Sequence, residues 1–283
     1  MRKDVKILLC ILPPLIIITL FFLFPLFVSF DRSFHDIDGN YIGFSAYSSM
    51  FSSRTFNNAF WYTVKISLLS TVIAVFVAIV IAMALRRTFI GKKISLFLFQ
   101  FNASIPHISV ASMMLLLLLP LGLISSMAFQ LGMIDSSLEF PMLVRGSSAF
   151  GTVFSFAWKF APFIGLAVLA VLQSAAPEYE QQAATLGVGP MRRFRYIILP
   201  MIKPAIFSSA IICFAFAFGS YEVPWMLGNS DTLASLSYNI FNSPVEIYRR
   251  AEAYAISSVI TAVTLAVSIV YFYLMLNERR SKT

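Results

Sequence analysis

The chain has 283 residues, of which 59% are apolar and only 12% charged, with a mean hydropathy of +0.82. A water-soluble domain carries roughly a quarter charged residues, so this composition excludes a soluble enzyme, a disordered tail and a disulfide scaffold. The net charge of +8 does not mark a nucleic-acid binder, because the basic residues lie scattered between long apolar runs. This is the composition of an integral membrane protein.

About 20 apolar residues cross a hydrocarbon core. Six stretches qualify: Ile7–Phe30, Ala59–Leu85, Ile94–Ile124, Ala149–Leu172, Pro204–Tyr221 and Tyr254–Leu276. The expected fold is all-α: one polytopic membrane domain over residues 1–283, with six transmembrane helices. The first stretch competes with a secretory signal, but it is too long for one, and Phe30-Asp-Arg32 is no cleavage site. It is read as a retained helix. The third contains Pro106 and Pro120 and is expected to kink or end early. Cys10 and Cys213 lie inside apolar runs, the setting of buried, unreactive thiols rather than of a metal or disulfide framework.

Basic residues set the orientation. With both termini cytoplasmic, the inner segments hold Arg2, Lys3, Lys6, Arg86, Arg87, Lys92, Lys93, Arg192, Arg193, Arg195, Lys203, Arg279, Arg280 and Lys282. The outer segments hold only Arg32, Arg54, Arg145, Arg249 and Arg250, the bias expected of a cytoplasmic side. Lys65 and Lys159 fall within spans. No zincin pair, nucleophile elbow or phosphate-binding glycine loop occurs, and His35 and His107 are the only histidines. Neither metal nor cofactor is expected on this chain.

The informative segment is the loop 173–203 between the fourth and fifth spans. Glu178–Leu186 is rich in helix formers and carries acids in its first turn, where the helix dipole favours them. Gly187, Gly189 and Pro190 break it. Met191–Ile198 then reads as a second short helix, ended by Leu199-Pro200. The result is a helix-turn-helix with a small-residue surface, Ala183-Ala184, beside its turn. Small side chains permit close approach, so the elbow suits a groove on a partner protein. The plainer alternative is an interfacial loop.

At these residues the chain resembles the binding-protein-dependent ABC importer permeases. Their loop signature reads Glu-Ala-Ala-x-x-x-Gly, nine residues, then Ile-x-Leu-Pro. Gly187, Ile197, Leu199 and Pro200 match it, and anchoring on Gly187 places Gln181, Gln182 and Ala183 at the Glu-Ala-Ala positions. The motif glutamate is thus a glutamine here, and Glu178, one turn earlier, is the expected substitute. Other stretches are also similar, among them Ala46-Tyr47, Phe56–Thr63, Ile105-Pro106, Gly122–Ser125 and Ala157–Pro162. Gly219–Gly228 is similar to the fifth-helix segment of spermidine/putrescine-type permeases.

The resemblance implies a non-enzymatic pore subunit of the type I importer fold in a bacterial inner membrane. Its implied partners are a second, homologous permease chain, two ATPase subunits that use ATP and Mg, an extracytoplasmic solute-binding protein and the bilayer. The coupling contacts would be Gln181, Gln182, Ala183, Ala184, Leu186, Gly187, Ile197, Leu199 and Pro200. A polyamine is the first substrate expectation; phosphonate, thiamine, sulfate and ferric ion stay open.

Polar residues inside spans are candidate solute contacts, since burying them in hydrocarbon is costly. They are Asn102, His107, Ser220 and Glu222, with Ser104 and Ser112 beside the first two. For His107 a hydrogen bond to a backbone carbonyl freed by Pro106 competes with a pathway role, and for Glu222 a loop-anchor role does. Lys65 and Lys159 are expected to snorkel to the membrane surface. Met113 and Met114 are expected to pack or face lipid. An ion-coupled secondary transporter is the alternative class; it would show internal repeats or intramembrane carboxylates.

Overall fold

The computed structural model describes residues 3–146, 148–174 and 176–280, and only the backbone of 3–10, 176, 177 and 274–280. The Cys10 side chain therefore lies outside the described residues. Among the described residues six helical segments are long and apolar enough to cross a membrane: Ile11–Arg32, Arg54–Leu85, His107–Gln130, Phe150–Ser174, Pro190–Gly219 and Ile247–Tyr273. Among the described residues the only strand-like pairing is one isolated bridge between His35 and Tyr41.

Prolines shape these spans in two different ways. Two π-helical turns, Thr19–Leu23 and Phe194–Ile198, are each followed at the second residue by a proline, Pro25 and Pro200. A proline lacks the N–H donor and crowds the carbonyl four residues back. The wider turn relieves both problems, and the N–H groups of Phe24 and Leu199 reach back to the carbonyls of Thr19 and Phe194. The helix therefore continues. This corrects the expected second short helix of the 173–203 loop: Leu199-Pro200 does not end it, and the fifth span runs unbroken from Pro190 to Gly219.

Pro106 acts differently. The third stretch, expected over Ile94–Ile124, is divided into a helix Lys92–Ser104, extended backbone at Ile105 and Pro106, and a helix His107–Leu118. The residue before a proline is driven out of the helical region, and no π turn absorbs the strain here. A second interruption follows at Leu119–Gly122 before Leu123–Gln130. Gly122 belongs there because a Cβ would stand 2.5 Å from the Leu116 carbonyl oxygen.

By its internal packing the chain forms two compact units. One comprises the residues up to Phe60 with Leu233–Val263. In it the helices Ser45–Ser52 and Leu233–Asn242 bury Met50, Leu233 and Ile240. Ser237 donates to the Ala253 carbonyl at 2.8 Å. Arg249 is clasped by Glu246 at 3.1 Å and Glu252 at 2.7 Å, and Ser49 also donates to Glu252.

The other unit, Trp61–Thr232 with the residues from Thr264 on, is built around the helix Phe150–Ser174. That helix buries Phe156, Phe160, Ile164, Val168 and Leu172, and the helix Leu199–Gly219 packs along it. Against the same core the second span presents Ala74, Ala78 and Ala82, all fully buried. At Gly165 an added Cβ would meet the Phe99 ring at 2.6 Å. That close approach seats the helix Lys92–Ser104 on the central one and fixes where the polar residues of the break fall.

Candidate functional site

The elbow is built by its own backbone. The helix Ala176–Thr185 stops in a Schellman arrangement: the Val188 N–H donates to the Ala183 carbonyl and the Gly187 N–H to the Ala184 carbonyl, each at 3.0 Å. Gly187 holds φ +78°, a left-handed conformation that costs any other residue. Its added Cβ would meet nothing within 4 Å. Gly189 and Pro190 restart the helix, with Pro190 in its first turn where a missing N–H does no harm.

The candidate coupling residues then part into two faces. Gln181, Gln182, Ala184 and Leu186 are exposed, Leu186 at 82%. Ala183 is buried against the chain itself, as is Ile198, and Phe194 and Leu199 pack on the core; Ile197 is half-buried and Pro200 exposed. The acid that pairs is not Glu178, which is exposed, but Glu180: its Oε1 accepts from Arg86 Nη1 at 2.6 Å, with each side chain 18% exposed. Glu180 lies three residues before Ala183, on the same inward face. Glu178 lies two residues from Glu180, on another face of the helix.

The second cluster lies at the break in the third stretch. Lys159, on the central helix, is buried and donates to the carbonyls of Asn102 at 2.8 Å, Ala103 at 2.9 Å and Ile105. It does not snorkel. The carbonyls freed at the helix end take its charge, so the hydrogen bond expected from His107 to that end goes to Lys159 instead. His107 stacks on Phe216, ring centroids 4.1 Å apart, with Phe160 edge-on. Asn102 donates to the Trp158 carbonyl at 2.9 Å, while its Oδ1 is buried without a hydrogen-bond partner. Asn102 and His107 are thus brought to one locus. Met114 is buried and Met113 exposed, as packing and lipid-facing roles require.

A profile described as "Binding-protein-dependent transport system inner membrane component" matches residues 70–282, a stretch that contains both the elbow and the break. The chain belongs to this family. It is 25% identical, over 93% of its length and 88% of the relative's, to the sulfoquinovosyl glycerol transport system permease protein SmoG of Agrobacterium fabrum. It is also 25% identical to the sn-glycerol-3-phosphate transport system permease protein UgpA of Shigella dysenteriae, over 93% and 92%. Among solved structures it resembles a bacterial ABC transporter that imports the acidic polysaccharide alginate, with TM-score 0.78, 20% identity and 96% of each chain covered. A second alginate transporter structure, with an alginate pentasaccharide-bound periplasmic protein, gives TM-score 0.75 at 21% identity, covering 95% and 93%.

The chain is therefore a multi-pass permease subunit of an ABC importer rather than an enzyme, and the spermidine/putrescine branch gains no support. The permease's remaining candidates lie at and just beyond the C-terminal end of the helix Leu199–Gly219. Ser220 is half-buried and closes the helix Leu199–Gly219; Glu222 is exposed and opens the helix Glu222–Met226, where its charge suits the dipole. The helix Glu222–Met226 packs against the helix His107–Leu118, and Ser220 follows Phe216, the ring on which His107 stacks, by four residues. Lys65 is exposed, twenty residues before Leu85 on the second span. At 1.5 Å per residue that is about 30 Å from the span's C-terminal end, about the thickness of a hydrocarbon core, so the lysine falls at the opposite membrane surface, where it can snorkel.

Sequence reasoning missed Asn229. It is buried, donates to the carbonyls of Gly146 and Ser148 at 3.2 Å each, and accepts from Thr152. The neighbouring Arg145 N–H donates to the Leu227 carbonyl at 2.8 Å. These bonds pin the segment entering the fourth span to the one leaving the fifth.

Proposed function

We propose that this permease forms half of a solute pathway with a second, homologous permease chain, seats an ATPase subunit on the exposed face of Ala176–Thr185, and receives an acidic glycerol- or sugar-derived solute from an extracytoplasmic binding protein. Both termini face the cytoplasm of a bacterial cell, and ATP with Mg is used by the two ATPase subunits. The observation that carries the coupling role is the elbow: a helix ended by a glycine-dependent turn, with Gln181, Gln182, Ala184 and Leu186 outward and Glu180 and Ala183 fastened inward.

The charge pattern supports the solute class. Acids in the six spans are confined to Asp31 and Glu252, close to span ends. A pathway with so few carboxylates offers little to hold a polycation, which opposes a polyamine. The named solutes of the similar transporters, glycerol-3-phosphate, a sulfoquinovosyl glycerol and an acidic polysaccharide, are all acidic. The test is ATP-dependent uptake by the reconstituted complex of radiolabelled sn-glycerol-3-phosphate against spermidine. Uptake of spermidine in preference would sink the solute class, and ATP hydrolysis by this chain alone would sink the subunit role.

A further inference from the structure

The fourth and fifth spans are joined by the chain itself to the helix Ala176–Thr185, so a displacement of that helix reaches them directly. The second span is not: Arg86 and Glu180 are 94 residues apart in sequence. Whatever moves its cytoplasmic end must act through contact.

The contact is well placed for that task. Arg86 continues the second span by one residue, its N–H donating to the Ala82 carbonyl at 3.0 Å, so its side chain springs from helical backbone. Glu180 sits in the middle of its helix, away from either fraying end. The 2.6 Å separation is that of a strong charge-assisted bond, and at 18% exposure each partner is largely shielded from salt. An exposed pair between flexible loops would contribute little. This one joins two helices, and a bond between rigid elements transmits a shift that a loop would absorb.

We propose that the Arg86–Glu180 ion pair is the strut through which the coupling helix moves the cytoplasmic end of the second span. This rests on the reading of Ala176–Thr185 as the coupling helix, and the experiment separates the two. The full complex is reconstituted with Cys10 and Cys213 replaced by alanine and one reporter cysteine introduced, either Ala84→Cys on the exposed side of the second span's last turn or Leu186→Cys on the elbow. Maleimide labelling is followed before and after trapping with ATP and vanadate.

The Leu186 reporter should be shielded by the ATPase subunit in every variant; labelling at the rate of the isolated chain would overturn the coupling-helix reading itself. The Ala84 reporter should change its labelling rate on trapping. Glu180→Gln and Arg86→Gln should each abolish that change while the Leu186 reporter stays shielded, and the reversed pair Arg86→Glu with Glu180→Arg should restore it. An Ala84 response that is absent with the natural pair, survives either single substitution, or stays lost in the reversed pair overturns the strut.

Discussion

Lys159 and Ile105 meet where the third apolar stretch breaks: the buried ammonium donates to the Ile105 carbonyl and, one turn back, to those of Asn102 and Ala103. A lysine inside a span ordinarily seeks a carboxylate or the membrane surface. Here the partial negative charge of a helix C-terminus serves instead: the Asn102 carbonyl also accepts from the Ile105 N–H at 3.4 Å, and the ammonium satisfies those of Ala103 and Ile105. Lys159→Met keeps the aliphatic stem and removes the charge, leaving the Ala103 and Ile105 carbonyls unmet. The expected cost is on the order of 3 kcal/mol, read as a lower thermal midpoint of the detergent-purified complex. An unchanged midpoint would show that the break holds without its cap.

Gly187 separates backbone strain from bulk. No atom stands within 4 Å of its would-be Cβ, yet φ is +78°. Within the chain only the conformation penalises substitution, at roughly 1–2 kcal/mol for an ordinary residue. Asparagine tolerates that region and a β-branched residue does not. Gly187→Val should therefore lose ATPase subunits from the membrane or uncouple them, and Gly187→Asn should largely keep them. Equal loss in both variants would place the sensitivity in the partner's groove rather than in the turn.

In the loop after the first span, Asp36 accepts hydrogen bonds from the backbone N–H groups of Asn40 and Asp38 and from the Asn40 side chain. The Asn40 side chain first, and its backbone N–H next, hold the Asp36 carboxyl below the usual carboxylate range. Because the folded value is lowered, the stabilisation is fully present above the ordinary carboxylate pKa and disappears as pH falls through the lowered one. Amide exchange at Asn40 should keep its protection to a lower pH than a free aspartate would permit, and Asp36→Asn should lose that pH dependence.

Asn229 should govern access to Arg145, which is exposed and holds φ 56°, a strained conformation for a non-glycine residue. Asn229→Ala removes the donors to Gly146 and Ser148. Losing about 1.4 kcal/mol of local stability corresponds to about a tenfold faster tryptic cut after Arg145. A cleavage rate equal to that of the unsubstituted chain would show that the Arg145–Leu227 backbone bond suffices.

The spans, their number and the elbow's first helix were legible because each rests on local chemistry: apolar run length, helix-forming residues and glycine spacing. Where the reading failed, a backbone adjustment or a distant residue decided the outcome. Pro200 and Pro106 look alike in sequence. A π turn at Phe194–Ile198 carries the helix through the first, whereas Lys159 seals the end before the second. Glu180 rather than Glu178 makes the ion pair because Arg86 stands across from it, and no local signal places Arg86 there. Asn229 follows a glycine in a polar segment and reads as an ordinary turn residue until Gly146, Ser148 and Thr152 are brought beside it.

Two adjacent alanines, read alike from sequence, should behave in opposite ways. Ala183 is 8% exposed and faces the permease's own packing, whereas Ala184 is exposed on the side that carries Gln181. Close-packed interiors have no room for an indole, so Ala183→Trp should damage the chain itself, lowering its abundance in the membrane whether or not ATPase subunits are present. Ala184→Trp adds its bulk to the outer face. It should leave abundance near normal and release the ATPase subunits or uncouple them from uptake. Quantifying this chain and its ATPase partner in the same membranes distinguishes the two effects. If Ala184→Trp keeps both abundance and ATPase retention at the level of the natural chain, the partner does not press on this face, and the docking surface must be sought on the other side of the turn.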